Sequence, residues 1–158
     1  DDYQPNHYMS RVAIPYPEMT LEQIQNLQLP ASENSVLWLW TTHKFLQDAF
    51  NIMQTWGFTN KAVLTWNKIS MGVGVWLRKQ CEFCLLGTKG QPAWLANDIR
   101  DIVEEARTSH STKPEAFYQL PEKCSEGRKL DYFARKKRQG WESYGLISTE
   151  KEVEVLAE

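Results

Sequence analysis

The sequence predicts an α/β domain with a largely parallel central sheet, and three observations support that fold class. First, apolar runs with the composition of buried strands recur along the chain, beginning with "NSVLWLWTT" at 34–42. Second, an amphipathic helical pattern follows directly, in "HKFLQDAFNIMQTWGF" at 43–58. Third, strand and helix patterns alternate further along, which is typical of α/β domains with parallel strands.

The N-terminal elements follow from local signals. Residues 1–20 are polar and interrupted by prolines, and they show neither helical nor strand periodicity, so a loop is predicted. "MTLEQIQNLQLP" at 19–30 predicts a short helix, with Thr20 as its N-cap and Pro30 as its stop. The amphipathic helix after the first strand is expected to end at Gly57.

Further strands are predicted from apolar runs in the middle of the chain and near its end. They are "NKAVLTWNK" at 60–68, "EFCLLGTKG" at 82–90 and "GRKLDYFAR" at 127–135. "SMGVGVWLRKQ" at 70–80 is a glycine-containing loop that we expect to open toward a ligand. "DIRDIVEEA" at 98–106 fits a helix and a strand equally well, and the tail at 148–158 is acidic.

A helix start is predicted in "STKPEAFYQLPEKC" at 111–124. Thr112 and Glu115 have the spacing of a capping box, and Pro114 falls in the first turn, where its missing N–H costs nothing. Pro121 is expected to break or kink this helix. Lys113 lies in the first turn, where the helix dipole disfavours a cation. Its ammonium either points into water or joins the helix N-terminus in a site for a carboxylate or phosphate.

The length, charge and composition of the chain limit the classes of function that it can have. The 158 residues suffice for one domain with a core, and the net charge of −2 gives no global signature of nucleic-acid binding. Basic residues cluster locally in "GRKLDYFARKKRQGW" at 127–141, a pattern that more often marks a solvated face. The seven tryptophans fit core packing and base stacking alike.

The three cysteines indicate buried, reduced thiols, as expected of an intracellular protein. Cys81 and Cys84 have C-x-x-C spacing, but they lie in a predicted strand, where residues three apart point to opposite faces. No second Cys/His pair completes a zinc site. The longest apolar run is too short to span a membrane.

Eight stretches, taken together and in order, resemble one family. It is the adenine N6-methyltransferase family that includes the catalytic subunit of the eukaryotic mRNA adenosine methyltransferase and bacterial and phage DNA adenine methyltransferases. The similarity extends from about residue 14 to residue 145. The stretches are "PYPEMT", "VLWLWTT", "WGFTNKAVLTWNK", "GVGVWLR", "EFCLLGTKG", "SHSTKPEAFYQL", "GRKLDYFAR" and "GWESYG".

The resemblance implies a Rossmann-like fold that uses S-adenosylmethionine, in a permuted order with the catalytic half first and the first strand absent from this chain. Residues 1–158 would form one methyltransferase domain: a target loop at 1–20, central strands and helices at 34–106, the cofactor half at 107–147 and a tail at 148–158. The cofactor residues implied are Ser111, Lys113, Asp131, Phe133, Arg135, Lys137 and Arg138. The implied contacts to the target adenine and its phosphates are Tyr16, Trp66, Trp76 and Arg78.

The chain departs from the family pattern in three places. The Asp-Pro-Pro-Trp signature, which would hold the adenine amino group, does not occur, and "DDYQP" at the start is no substitute. No catalytic residue is therefore visible, and we expect the motif upstream of Asp1. Leu146 stands where the family has an asparagine, and Pro121 lies inside a helix that the family continues.

The resemblance implies methylation of adenine N6 in nucleic acid, with DNA preferred to RNA. The alternatives are a non-catalytic nucleic-acid-binding subunit or degenerate homologue, and an RNA adenosine methyltransferase. The resemblance also implies a homo- or heterodimer partner. It implies localisation in the cytoplasm for a bacterial or phage protein and in the nucleus for a eukaryotic one.

Overall fold

A four-stranded mixed sheet forms the centre of the fold. The computed structural model describes residues 18–109 and 112–145. The sheet has the order β1-β3-β2-β4, so that β3 lies between two strands that precede it in the chain. The strands are β1 (Ser35–Thr41), β2 (Thr59–Asn67), β3 (Cys81–Lys89) and β4 (Ile102–Glu104). The predicted strands at 34–42, 60–68 and 82–90 are confirmed, and the ambiguous segment at 98–106 contains the short strand β4.

The prediction of a largely parallel sheet is wrong. β3 pairs antiparallel with both β1 and β2, and only β2 and β4 pair in parallel. The reason lies in the connection between β2 and β3, which is the loop at 68–80 rather than a helix. A parallel neighbour needs a crossover of a dozen or more residues, usually helical, whereas a hairpin-like return gives an antiparallel pair.

The two N-terminal helices begin and end near the predicted signals. Helix α1 (Leu21–Gln25) is capped by Thr20, whose hydroxyl accepts the N–H of Gln23 at 3.1 Å in a complete capping box. It ends well before Pro30, so the predicted stop is not what terminates it. Helix α2 (Leu46–Thr55) follows a 3-10 turn at His43–Phe45, and the chain leaves it at Gly57, with φ at +84° as expected of a C-terminal glycine.

Helices cover both faces of the sheet. On one face, α2 packs through Met53 against Leu85 of β3. On the other face, helix α3 (Glu115–Cys124) inserts Phe117 against Trp40 of β1, with 4.9 Å between ring centroids in an edge-to-face arrangement. The sheet is therefore the middle layer of three, and α3 fixes the segment that precedes it against the ends of β1 and β2.

The start of α3 differs from the prediction. Thr112 does not cap the helix, because its hydroxyl bonds the Ser109 hydroxyl at 2.6 Å and the N-cap position is Pro114, which makes no side-chain cap. Pro121 does not end the helix either, since helical residues continue to Cys124. Its carbonyl accepts both the N–H and the hydroxyl of Ser125, at 3.2 and 3.1 Å, which closes the last turn around the proline.

A second, two-stranded parallel sheet follows α3. It pairs β5 (Leu130–Tyr132) with β6 (Glu142–Tyr144). The strand predicted at 127–135 is thus reduced to three residues, because Phe133 adopts a left-handed conformation with φ at +64° and turns the chain out of the strand. Asp131, in the middle of β5, faces α3.

Candidate functional site

A small polar cavity lies where β1 and β2 end, β3 begins and the chain enters α3. Its volume is about 210 Å³. The sequence predicted a ligand site at strand ends beside this helix N-terminus, and the structure places Lys113 there. The residues that line the cavity are Thr42, Trp66, Lys68, Glu82, Arg107, Ser109, Thr112 and Lys113.

A buried carboxylate organises the cations of this cavity. Glu82 is 8% exposed, and its two oxygens are each bonded to a lysine: Lys68 at 2.8 Å and Lys113 by a short contact. Burial by itself raises the pKa of Glu82, but the ammonium groups of Lys113 and Lys68 outweigh it and hold the pKa below the usual value. Glu82 is therefore ionised, and the three side chains together carry one net positive charge.

Lys113 is held from a second side by an aromatic ring. Its Nζ lies 5.1 Å from the centroid of the Trp40 ring, within the range of a cation–π contact. Together with the Glu82 bond, this fixes the ammonium at the cavity wall. Lys113 is thus no freely solvated surface lysine, which removes the simpler of the two explanations offered by the sequence.

The helix N-terminus itself is occupied by an acidic side chain of the protein. The Glu105 carboxylate accepts the N–H of Glu115 at 2.7 Å and that of Ala116 at 3.4 Å. These are the donors that we expected to face an exogenous anion. An anionic ligand in this cavity would therefore meet the cations of its lining, Lys68, Arg107 and Lys113, while the first amides of α3 already bind Glu105.

A second polar cluster joins α3 to the turn after β5. The Tyr118 hydroxyl donates to Asp131 at 3.2 Å, and the Arg138 guanidinium lies 3.6 Å from the centroid of the Tyr118 ring. Arg138 also makes two hydrogen bonds to Glu115, at 2.6 and 3.1 Å. The cluster brings together two of the predicted cofactor residues, Asp131 and Arg138, about the N-terminal half of α3.

The side chains of this cluster shift one another's pKa values. Burial and the Asp131 charge raise the pKa of Tyr118 to about 12, and burial raises the pKa of Asp131 despite the hydrogen bond from Tyr118. Hydrogen bonds from Arg138 and Lys136 lower the pKa of Glu115 to about 2. At neutral pH Tyr118 is therefore a neutral donor and Glu115 is ionised.

The remaining predicted cofactor residues lie around the turn after β5. Phe133 is partly exposed, and its N–H donates to the Tyr144 carbonyl at 2.8 Å. Arg135 is half-buried and Lys137 is exposed on the same turn. Ser111 lies outside the described residues, so its predicted role stays a prediction.

The predicted substrate residues are dispersed. Trp66 borders the cavity but is 2% exposed, and its indole N–H donates to the Glu105 carbonyl at 2.8 Å. Trp76 and Arg78 lie on the exposed loop at 68–80 and are not part of the cavity lining. Tyr16, Asp1, Asp2 and Leu146 lie outside the described residues.

Three functional residues were missed by the sequence-based reasoning. Glu82 was hidden in an apolar run, although it shares a strand face with the buried Cys84, two residues on, and a carboxylate there needs a cationic partner. Tyr118 lies three residues after Glu115, the spacing that places two side chains on one helical face. Glu105 had no local signal, because its contact with α3 spans ten residues of sequence.

The prediction of buried thiols is confirmed for Cys84 and Cys124 and is wrong for Cys81. Cys81 is exposed whereas Cys84 is buried, so the two sulfurs of the C-x-x-C stretch diverge, and all three cysteines are free. Within 18–109 and 112–145, no cluster of three or more potential metal ligands occurs. The helices of these same ranges are all too short or too polar to cross a bilayer.

The α/β/α layering, with a polar cavity at strand ends beside a helix N-terminus, defines an α/β domain with a candidate ligand site at its strand ends. The chain belongs to the MT-A70 family, whose family model matches residues 3–147. The predicted family resemblance is thereby confirmed. The finer expectation of a permuted Rossmann-like order is not established by this match.

The relatives are named as methyltransferases from bacteria, plants and animals. The chain is 28% identical over 155 residues to the Type II methyltransferase M.MunI of Mycoplasma sp., a match covering 94% of the chain and 66% of that protein. It is 31% identical over 145 residues to a putative N(6)-adenosine-methyltransferase MT-A70-like protein of Medicago truncatula, covering 84% of the chain and 24% of the relative. With the N(6)-adenosine-methyltransferase catalytic subunit METTL3 of Homo sapiens it shares 30% over 135 residues, covering 77% and 23%. The chain thus spans less than two thirds of each of these relatives.

Proposed function

We propose that this domain belongs to an S-adenosylmethionine-dependent methyltransferase that modifies the N6 amino group of adenine in nucleic acid. The family match over residues 3–147 carries the proposal, since the relatives matched along most of the chain are named as methyltransferases and several as N6-adenosine-specific. The cavity around Lys113 supports it, because it offers a fixed cation where a small zwitterionic ligand requires one.

The cavity fits one end of this cofactor. Its 210 Å³ is below the roughly 300–1,000 Å³ of complete small-molecule pockets, so only the amino-acid end would enter it. There Lys113 would pair with the carboxylate, and the hydroxyls of Ser109 and Thr112 line the same space. The ring of Trp40 holds the Lys113 ammonium from outside the cavity lining, with Nζ 5.1 Å from the ring centroid.

The rest of the cofactor would extend along α3 toward β5. Asp131 would accept from the ribose hydroxyls, since one of its oxygens is held in place by Tyr118. Arg138, fixed between Glu115 and Tyr118, would cover that part of the ligand. The assignments of Phe133, Arg135, Lys137 and Ser111 to the cofactor rest on the resemblance.

The cofactor, when bound, supplies an electrophilic methyl group on a sulfonium. The adenine must leave its stack to present N6, and it needs flat side chains around it. We propose Tyr16 and Trp66 for that environment, and Trp76 and Arg78 for the adjoining strand, all four on the basis of the resemblance. The acceptors for the amino group are expected in an Asp-Pro-Pro-Trp motif upstream of Asp1.

DNA is the substrate that we propose. Its support is that M.MunI, named a Type II methyltransferase, is similar to 94% of the chain, a larger share than METTL3 matches. RNA is the alternative, because METTL3 and the plant relatives are named for adenosine. A homo- or heterodimer partner is also proposed, on the basis of the resemblance.

Two measurements on the full-length protein test the function. Isothermal titration with S-adenosylhomocysteine should show saturable binding, and absence of binding in a folded protein would refute the proposal. Incubation with methyl-labelled S-adenosylmethionine and matched adenine-containing DNA and RNA oligonucleotides should yield N6-methyladenine, detected by mass spectrometry after digestion. The nucleic acid that acquires the label decides between DNA and RNA.

A non-catalytic subunit is the second candidate function. It is favoured by Leu146 at the position where the family has an asparagine. Such a subunit would bind the oligonucleotide without transferring a methyl group, alone or with the cofactor present. The sequence of the native gene upstream of Asp1 separates the two, because an Asp-Pro-Pro-Trp there contradicts the simple form of this candidate.

A further inference from the structure

A second cavity lies at the opposite end of the sheet from Lys113, where α1 and α2 end and β3 finishes. Its volume is about 340 Å³. It is lined on one side by residues of the segment at 25–31 and on the other by Thr55, Trp56, Phe58 and Lys89. Glu82 and Lys89 are seven residues apart on β3, which corresponds to about 24 Å at the rise of an antiparallel strand. This space, which we call the α1–α2 cavity, is therefore separate from the Lys113 cavity.

Hydrogen bonds between the ends of the two helices fix the walls of the α1–α2 cavity. The Trp56 indole N–H donates to the Gln25 carbonyl at 3.0 Å, and the Gln25 side-chain amide donates to the Thr55 hydroxyl at 3.3 Å. Phe58 is 5% exposed and belongs to the core that α2 makes with the sheet. The cavity is therefore already formed without a ligand, which lowers the ordering cost of binding.

Lys89 brings a cation without a counter-ion to this cavity. Its side chain is half-buried, with Nζ 5.7 Å from the centroid of the Phe58 ring. Within 18–109 and 112–145 it makes no ion pair and no hydrogen bond. Among the described residues that line the cavity, Lys89 alone carries a charge. Since a partly buried charge without a partner is unfavourable, the cavity favours a ligand with an anionic group.

The C-terminus of α2 compensates only part of this charge. Lys89 passes close to Gly57, where an added Cβ would lie 3.8 Å from the lysine Nζ. Gly57 follows α2, and the negative end of a helix dipole is equivalent to about half an elementary charge. Roughly half of the lysine charge is therefore left for a ligand to neutralise.

The other side chains of the cavity suit a flat, polar-edged group. Trp56 is half-buried and its N–H is already bonded, so its ring can offer an apolar, flat contact. The side-chain amides of Asn26 and Gln28 make no hydrogen bond to any described residue. Each carries donors and an acceptor side by side, the pattern with which Asn and Gln pair to the edge of a nucleobase. The volume of about 340 Å³ falls within the roughly 300–1,000 Å³ of small-molecule sites.

We propose that the α1–α2 cavity binds a nucleotide, with its phosphate on Lys89 and its base beside Trp56, within reach of the side-chain amides at 26 and 28. A small carboxylic acid would also pair with Lys89, but it would leave both amides without partners. The nucleotide is either free or part of a nucleic-acid strand, since both present the same base and phosphate. Nucleotide binding there does not depend on the proposed function, because none of the residues assigned to the cofactor or the target adenine lines this cavity.

The first test is isothermal titration of the full-length protein with the monophosphates of adenosine, guanosine, cytidine and uridine. Saturating S-adenosylhomocysteine is present throughout, to occupy the proposed cofactor site. At least one mononucleotide should bind saturably. Lys89→Met keeps the apolar stem over Phe58 and removes the charge, so it should raise the dissociation constant roughly 10- to 150-fold. Lys61→Met, at an exposed lysine of β2 outside the cavity lining, is the matched control and should leave the affinity unchanged.

A second probe, a labelled single-stranded oligonucleotide followed by fluorescence anisotropy, distinguishes the two sources of the nucleotide. Binding of a mononucleotide that requires Lys89 assigns the cavity to free nucleotides, and a Lys89-dependent affinity for the oligonucleotide alone assigns it to a strand. Gln28→Ala, at an exposed position, should reduce the discrimination among the bases. Circular dichroism confirms that each variant is folded. If Lys89→Met and Lys61→Met bind both probes as the wild type does, or if the wild type binds neither, the proposal is overturned.

Discussion

Replacing Lys113 by alanine is the most direct test of the proposed cofactor site. The substitution removes the ammonium that faces the cavity and leaves Glu82 with one lysine partner, Lys68 at 2.8 Å. A hydrogen bond to a charged group contributes about 1.5–3 kcal/mol, so its loss should raise the dissociation constant for S-adenosylhomocysteine roughly 10- to 150-fold. Isothermal titration of the full-length protein with S-adenosylhomocysteine measures this change directly.

The matched control is Lys89→Ala. Lys89 ends β3 with its Nζ 5.7 Å from the centroid of the Phe58 ring, on the part of the sheet covered by α2, and it is absent from the lining of the Lys113 cavity. The control should bind S-adenosylhomocysteine as the wild type does. Equal affinities for Lys113→Ala and Lys89→Ala would refute the assignment of Lys113 to the ligand carboxylate.

A second variant separates direct binding from an indirect effect. Lys113→Ala leaves the buried Glu82 carboxylate with one of its two lysine partners. The negative charge of Glu82 would then repel an anionic ligand and weaken its binding even if Lys113 had no direct contact with it. The double variant Lys113→Ala with Glu82→Gln removes that charge. If Lys113 contacts the ligand, the affinity stays low in the double variant. Recovery to wild-type affinity would show that Lys113 acts only by neutralising Glu82.

Three further predictions concern stability and reactivity. Because the pKa of Glu115 is lowered to about 2, its contribution to stability is present above its usual pKa of 4.5 and is lost as the pH falls toward 2. The Glu115→Gln variant should lack this pH-dependent part of the unfolding free energy, which solvent exposure limits to about 1 kcal/mol or less. Denaturant unfolding at several pH values measures it, and a pH profile equal to that of the wild type would contradict the prediction. Phe117→Ala, which empties the contact between α3 and Trp40, should cost about 3–5 kcal/mol in the same assay, and a loss below 1 kcal/mol would show that α3 is not held by this ring. Cys81 should react with a thiol reagent in the folded protein while Cys84, whose pKa burial raises well above its usual value, should not; rapid labelling of Cys84 would contradict the burial.

The parts of the fold that the sequence predicts are those set by local pattern. The strand at 34–42 and the helix ending at Gly57 follow from apolar periodicity and a C-terminal glycine, and both occur where predicted. Strand direction was mispredicted because the alternation of elements was given more weight than the connection at 68–80, which shows no helical pattern. The glycines of that connection and its lack of a helical pattern were the available signal for an antiparallel return.

In the candidate site, too, local pattern predicts some residues and only the tertiary fold brings in the others. Lys113 could be singled out, since the predicted helix placed a cation in its first turn against a local rule. That placement is wrong, because α3 begins at Glu115 with Pro114 as its N-cap, and Lys113 precedes the helix. Its partner Glu82 lies 31 residues away, and the acid that occupies the helix N-terminus, Glu105, reaches α3 only through the tertiary fold. The predicted capping box failed for this reason, because a tertiary carboxylate took the amide that the Glu115 spacing would have assigned to Thr112. Long-range pairings of this kind leave no periodic trace in a single sequence.

The charge balance at the start of α3 explains why an anion would bind at Lys113 rather than at the helix amides. The amides of Glu115 and Ala116 already donate to Glu105, so an anion could bind them only by displacing that carboxylate. The lysines differ, since two ammonium groups share the one carboxylate of Glu82 and retain one net positive charge. An ammonium has three N–H donors, so Lys113 can keep its bond to Glu82 and still donate to a ligand carboxylate. Glu82 thus positions Lys113 and leaves N–H donors of its ammonium free for a ligand. A ligand with one negative charge would bring the net charge of Glu82, Lys68 and Lys113 to zero.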